Sequence, residues 1–363
     1  MSEVWDAVVI GAGPAGAVTA RELAHRGCRT LLVDRARFPR SKVCGCCLNG
    51  NAIASLRRLG LGHVLSDGVP LKSMMLGAGG AKAELRLKGG VALGRDRFDQ
   101  VLVDEAQSAG ATFLDGNAAR VESRSADGRT LRVGERSITA KIVVQASGLA
   151  GSDSEVSPGS RIGGGTLIHD APDFYTPGRL FMATGRGGYV GLVRLANGSL
   201  DVASAFDAEF VRNSGGLGEA ANTILNATGW PMLSESTWKG TPALTRQRVA
   251  IAENRLFAVG DATGYVEPFT GEGMAWAISS AAALAPIAAR AVRTWNDDCV
   301  AEWWRTHARI VGRRQWFCRA AARVLRSPML TNLAVRTLAL APILARPFVA
   351  LLDRPTHPIG HRV

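Results

Sequence analysis

The feature that limits this chain most is a turn of small residues, GAGPAG at Gly11 to Gly16, set between the run Val8, Val9, Ile10 and an apolar helical pattern from Ala15 to His25. A β-branched run, a glycine turn and a helical period predict strand, turn and helix in succession. At such a junction Gly11 permits the tight turn, Gly13 lets backbone approach a ligand, and Gly16 lets the helix pack closely on the strand. The helix start adds unpaired N–H groups and a partial positive charge, so the expected ligand group is a pyrophosphate. A second strand, Thr30 to Val33, ends at Asp34, 23 positions after Gly11. That spacing suits a carboxylate accepting ribose hydroxyls, and the whole succession predicts a dinucleotide site.

A second glycine-rich stretch, GDATGYVEPFTGEGM at Gly260 to Met274, begins 249 positions after Gly11. Arg255 to Val259 predicts a strand running into Gly260 and Asp261, and TGEGMAWAISSAAALAPIAARA predicts a helix with glycines at its start. A domain binding only NAD needs no such element. Three further segments lie between the two stretches: RSKVCGCCLNGNAIASLRRLGL from Arg40, GRDRFDQVLVDEAQSAGATF from Gly94, and AKIVVQASGLAGSD from Ala140.

On these segments, over roughly residues 4 to 300, the chain resembles the flavoprotein superfamily typified by p-hydroxybenzoate hydroxylase, and within it the geranylgeranyl reductase and FixC-like branch. The resemblance implies one FAD held from both ends. Gly11, Ala12, Gly13, Pro14, Ala15 and Gly16 would face the pyrophosphate, with Asp34 and Arg35 at the adenosine ribose and Ala118 and Gly148 bordering the cofactor. Gly260, Asp261 and Pro268 would follow the ribityl chain. Gly271, Glu272, Gly273 and Met274 would meet the pyrimidine edge of the ring, where a helix N-terminus stabilises the charge of reduction. Lys42, Cys44 and Gly45 belong to an element passing near the flavin, and an arginine, Arg97 or its neighbour Arg95, would reach the FAD. Ser147 stands where the family usually has aspartate, and Cys46 and Cys47 where its reductases often have glycines, so bulkier groups would narrow the space beside the ring.

The fold expected is α/β in two domains. A Rossmann-like FAD-binding domain of GR2-type topology, at 1–70, 95–160 and 245–295, is interleaved with a mainly antiparallel substrate sheet at 71–94 and 161–244. Residues 296–363 form a basic helical segment. From Trp303 onward it holds eleven arginines and one acid, Asp353, which accounts for most of the net charge of +12. Three readings of this tail stay open: a contact with an anionic membrane surface, a helical lid over a hydrophobic entrance, and a solvated basic face. An acidic carrier protein is a fourth, resting on charge alone. No nucleic-acid module accompanies the charge. Removal of residues 303–363 is expected to leave FAD bound but to impair membrane or substrate engagement.

The N-terminus enters its strand almost at once, which points to a cytoplasmic location, peripheral to a membrane where the tail binds one. Six cysteines are then expected as thiols, and a lone CxCC with no second cluster predicts no metal. No acid–base group identifies itself; Cys44, His169, Tyr189 and Glu267 are the candidates. FAD performs the redox chemistry, with NAD(P)H as external reductant. Two reactions on a hydrophobic small molecule compete. Hydroxylation of an aromatic, polyketide or phenolic compound is placed first, and reduction of an isoprenoid or quinone-type lipid second. Halogenation and cofactor binding without catalysis rank behind both.

Overall fold

In the computed structural model, residues 3–353 are described apart from Ser152, Asp153, Pro268 and Thr270. The strand Glu3–Ile10 is central, pairing in parallel with Thr30–Val33 on one side and Arg136–Gln145 on the other. Thr112–Leu114 and Leu256–Ala258 extend the parallel set outward, and Ala119–Arg124 with Arg129–Val133 adds an antiparallel arm. Strands buried on both faces need continuous apolar runs, and Ala7, Val8 and Val9 are fully enclosed. The helices Pro14–Ala24, Arg95–Ser108 and Glu272–Arg293 share one apolar core with this sheet. By length and composition Glu272–Arg293 could cross a bilayer, yet 83% of its apolar window is packed inside the protein.

The second sheet has seven strands, ordered Lys239–Ala243, Ile162–Ile168, Leu200–Phe206, Gly188–Arg194, Arg179–Gly185, Ser73–Ala78 and Ala81–Arg86. All its pairings are antiparallel except that of Ser73–Ala78 with Arg179–Gly185. Its middle strands alternate with period two. Phe181, Val190, Leu192 and Val202 face the helix Leu217–Thr228, while Met182, Tyr189, Ala203 and Ala205 face the cleft toward the first sheet.

The chain ends in the helices Asp298–His307, Arg313–Leu325, Pro328–Leu340 and Arg346–Asp353. Ser327 caps the third by accepting from the Leu330 amide, with Pro328 at its first position. Arg354 and Arg362 of the basic tail lie outside the described residues.

Candidate active site

The carboxyl ends of the parallel strands open into a cleft of about 520 Å³, closed on its far side by the second sheet. This is where open parallel sheets bind their ligands. At its floor the turn residues divide by what a side chain would meet. A Cβ on Gly11 would stand 2.4 Å from the Ala146 carbonyl oxygen, and one on Gly16 would stand 1.7 Å from that of Gly11. Both glycines are therefore required by the protein's own packing. Gly13 is different, because its Cβ would meet only the guanidinium nitrogens of Arg40 at 3.7 Å and Arg95 at 3.8 Å. Two cations and the start of the helix Pro14–Ala24 thus converge on the one open place in the turn, which suits a pyrophosphate.

The charges around that place are held in a network. Asp34 accepts the amides of Ala12 at 2.8 Å and Ala36 at 2.9 Å, so the acid bridges the turn and its own strand end. Arg40 lies 3.6 Å from Asp34 and 3.3 Å from Asp99, while Arg95 donates twice to Asp99, at 2.8 and 2.7 Å. Lys42 is wetted by the cleft but enclosed by protein. Burial and then the Arg95 charge push its pKa down, with Asp261 opposing. Asp261 is shifted the other way, raised by burial against the pull of Lys42 and Arg95.

The two glycine-rich stretches touch. Gly260 adopts φ +63°, and a Cβ there would come within 2.7 Å of the Ala15 side chain, so the second turn packs directly on the first helix. From there Asp261, Gly271, Gly273 and Met274 line the cleft. Glu272 turns away into the protein, where it accepts from Arg314 at 2.8 and 3.0 Å and from Asn49 at 3.2 Å. Burial raises its pKa and Arg314 opposes the rise.

Pro14, Ala15, Asp34, Arg35, Lys42, Cys44, Gly45, Gly148 and Tyr189 also line the cleft. Gly11, Ala12, Gly16 and Gly260 support it from behind. Besides Glu272, expected at the ring but turned inward, four further expectations need correction or qualification. Arg97 is exposed and paired with Asp67 at 2.7 Å, so Arg95 is the arginine at the cofactor turn. The spacing carried that signal, since Arg95 has Asp99 one helical turn on and Arg97 has Val101. Ala118 is exposed, its carbonyl taken by the Gly134 amide. His169 is exposed just past the strand Ile162–Ile168 and away from the cleft. Pro268 lies outside the described residues.

Of the cysteines, only Cys44 and Cys47 face the cleft. Cys46 has φ +47° and points into a separate apolar cluster with Leu71 and Val193, so Cys47 alone narrows the space. All six cysteines are free thiols.

Sequence reasoning missed Arg40, Lys239, Tyr265 and Phe269, which complete the cleft wall. Its upper part is apolar, with Leu180, Met182, Leu244 and Phe269 around Tyr189. Tyr189 neighbours Glu267, a buried acid that Arg161 holds at 3.1 Å. Arg161 also reaches Asp207 at 3.2 Å. Burial and the adjacent carboxylate push the Tyr189 pKa well up.

The family model described as an FAD binding domain matches residues 4–163. The match spans less than half of the chain and makes that part an FAD-binding domain. Its fold is shared with a geranylgeranyl bacteriochlorophyll reductase-like protein from Thermoplasma acidophilum, with TM-score 0.77 and 20% identity over 93% of this chain and 91% of that one. A halogenase crystallised with phloroglucinol and FAD aligns with TM-score 0.75 and 16% identity, over 96% of this chain and 86% of that one. In sequence, the flavoprotein is 37% identical over 120 residues to a menaquinone reductase of Mycobacterium tuberculosis, a stretch covering 31% of this chain and 29% of that protein. FAD fits the cleft: Gly13 with Arg40 and Arg95 would hold the pyrophosphate, Asp34 the ribose, and the start of Glu272–Arg293 the ring.

Proposed function

We propose that this flavoprotein reduces a double bond or carbonyl of a hydrophobic molecule of quinone or isoprenoid type, with NAD(P)H as external reductant. The observation that carries the reading is Tyr189, set in an apolar cavity wall beside the buried pair of Glu267 and Arg161, whose guanidinium lies 5.9 Å from the centre of its ring. FAD, when bound, supplies the hydride. The complementary proton must come from the protein, and a phenol whose pKa is pushed up by burial and by a neighbouring carboxylate keeps its proton at every working pH. Tyr189 is thus a proton donor to the substrate, and its phenolate recovers a proton from solvent once product leaves the cleft. Arg161 and Glu267 are positioning residues: they fix the ring, which also stacks edge-on against Phe269 at 5.2 Å between centroids. This places reduction ahead of the hydroxylation favoured from sequence, and the reductases among the protein's relatives support that order.

The test is anaerobic turnover of NADPH-reduced holoprotein with quinone and polyprenyl substrates. Product two hydrogens heavier, formed without oxygen, is expected. Tyr189→Phe should keep its FAD and lose roughly 100-fold or more in turnover. A product formed only in air and carrying an atom of molecular oxygen would overturn the reading in favour of hydroxylation.

A further inference from the structure

The last three helices leave a surface that neither the cleft nor the core uses. Helix Pro328–Leu340 is apolar on two opposite sides. Its inner side, Thr331 and Val335, is buried, and the Asn332 amide donates to the carbonyls of Ala78 at 2.8 Å and Gly79 at 3.2 Å. Those bonds fix the rotation of the helix on the second sheet. Its outer side therefore carries Met329, Leu333 and Leu340, spaced by four and seven on one line and 77%, 61% and 89% exposed. Ile343 and Leu344 extend the line beyond the helix end, and the exposed pair Trp316 and Phe317, edge to face at 5.1 Å, adds aromatic surface on the preceding helix.

Charge completes the pattern. Residues 303–352 contain nine arginines and no Asp or Glu. Arg314 is drawn inward to Glu272, but Arg323, Arg336 and Arg346 on the last three helices are exposed. Arg336 falls within the apolar line itself, one turn from Leu333 and Leu340.

We propose that this face docks on an anionic lipid bilayer, with Met329, Leu333, Leu340 and Trp316 entering the interface and the arginines meeting lipid headgroups. A second copy is disfavoured because its identical face would bring its own exposed Arg323, Arg336 and Arg346 against the first. An acidic protein would answer the charge and leave the line of Leu and Met without a reason. A bilayer answers both, since amphipathic surface binding combines apolar burial with attraction to anionic lipid. The docking stands apart from the reaction proposed above, but the geometry would serve it. Leu325 and Val335, on the inner sides of these helices, share one apolar cluster with Met182 and Tyr189 of the cavity wall.

Flotation of the full-length holoprotein with vesicles tests this. Binding is expected to vesicles of phosphatidylcholine with about a third phosphatidylglycerol, to weaken with salt, and to be lost on phosphatidylcholine alone. Leu333→Ser with Leu340→Ser should abolish it. Each of Arg323→Glu and Arg336→Glu should weaken it roughly five-fold or more. Both sets should retain normal flavin content, which separates docking from folding. Failure of the holoprotein to float with anionic vesicles at low salt would overturn the proposal. So would undiminished binding by the variants, or a dimer in sedimentation that the leucine changes dissolve.

Discussion

Asp201 offers the sharpest physical test of how the two sheets meet. It sits on the cleft-facing side of the strand Leu200–Phe206, where burial raises its pKa to about 7. One carboxylate oxygen has no hydrogen-bond partner among the described residues, and the neighbouring Cys46 thiol opposes the rise only in part. An acid of ordinary pKa near 3.9 in the unfolded chain has lost its proton by about pH 5, while the folded protein still holds it there. Stability therefore falls as pH rises from about 4 to about 7 and levels off above that. For one group shifted this far, the loss between about pH 5 and about pH 8 is roughly 2 to 3 kcal/mol. Asp201→Asn removes the titration while keeping the shape. Urea unfolding of wild type and variant at both pH values should show the stability difference moving in the variant's favour by that amount as pH rises. The absolute difference matters less, because the new amide brings its own unpaired donors. A difference that stays constant across the range would refute the buried, half-satisfied carboxylate.

Three further outcomes separate cofactor contacts from packing. Gly13→Val should fold and purify with little FAD, whereas Gly16→Val should fail to fold, since only Gly16 is closed in by protein backbone; the flavin-to-protein absorbance ratio of soluble material reports both. Arg95→Met should cost about 3 to 5 kcal/mol by leaving Asp99 buried without its bidentate partner, while Arg97→Ala, at a solvated pair, should stay within about 1 kcal/mol in thermal unfolding. Deletion from Trp303 should remove FAD and destabilise the fold, and Trp303→Ala alone should cost about 3 to 5 kcal/mol by denaturant titration.

That last expectation reverses the one drawn from sequence. The arginine count after residue 303 reads as a separable tail because charge marks solvent exposure. The structure places three anchors inside that stretch. Trp303 is fully buried and donates to the Ala258 carbonyl at 3.0 Å; His307, its pKa pushed down to about 4 by burial, meets Thr263 at 3.0 Å; and Arg314 satisfies Glu272. Their targets are the last parallel strand, the turn after Gly260 and the first turn of the long helix, so the basic segment is built onto the flavin site. Composition reports how many residues face water, and it is silent about the few that do not.

The same limit explains which parts of the site were legible. The glycine turns, Asp34 and the strands on either side impose local backbone geometry, and local geometry leaves a period and a spacing in the sequence. Arg40, Tyr265 and Phe269 reach the cleft through tertiary packing, and Arg161 meets Glu267 across 106 positions behind it, which no spacing records. Cys46 shows the intermediate case. CGCC suggests three thiols beside the flavin, but a left-handed backbone at Cys46 turns the middle one through the wall to Asp201. A single dihedral sign thus decides which cysteines line the cleft, and it brings the cysteine turn beside Asp201 of the second sheet. If that proximity orients the turn, Cys46→Ala should leave the charge of Asp201 without the thiol and steepen the fall in stability above about pH 5, the opposite of Asp201→Asn.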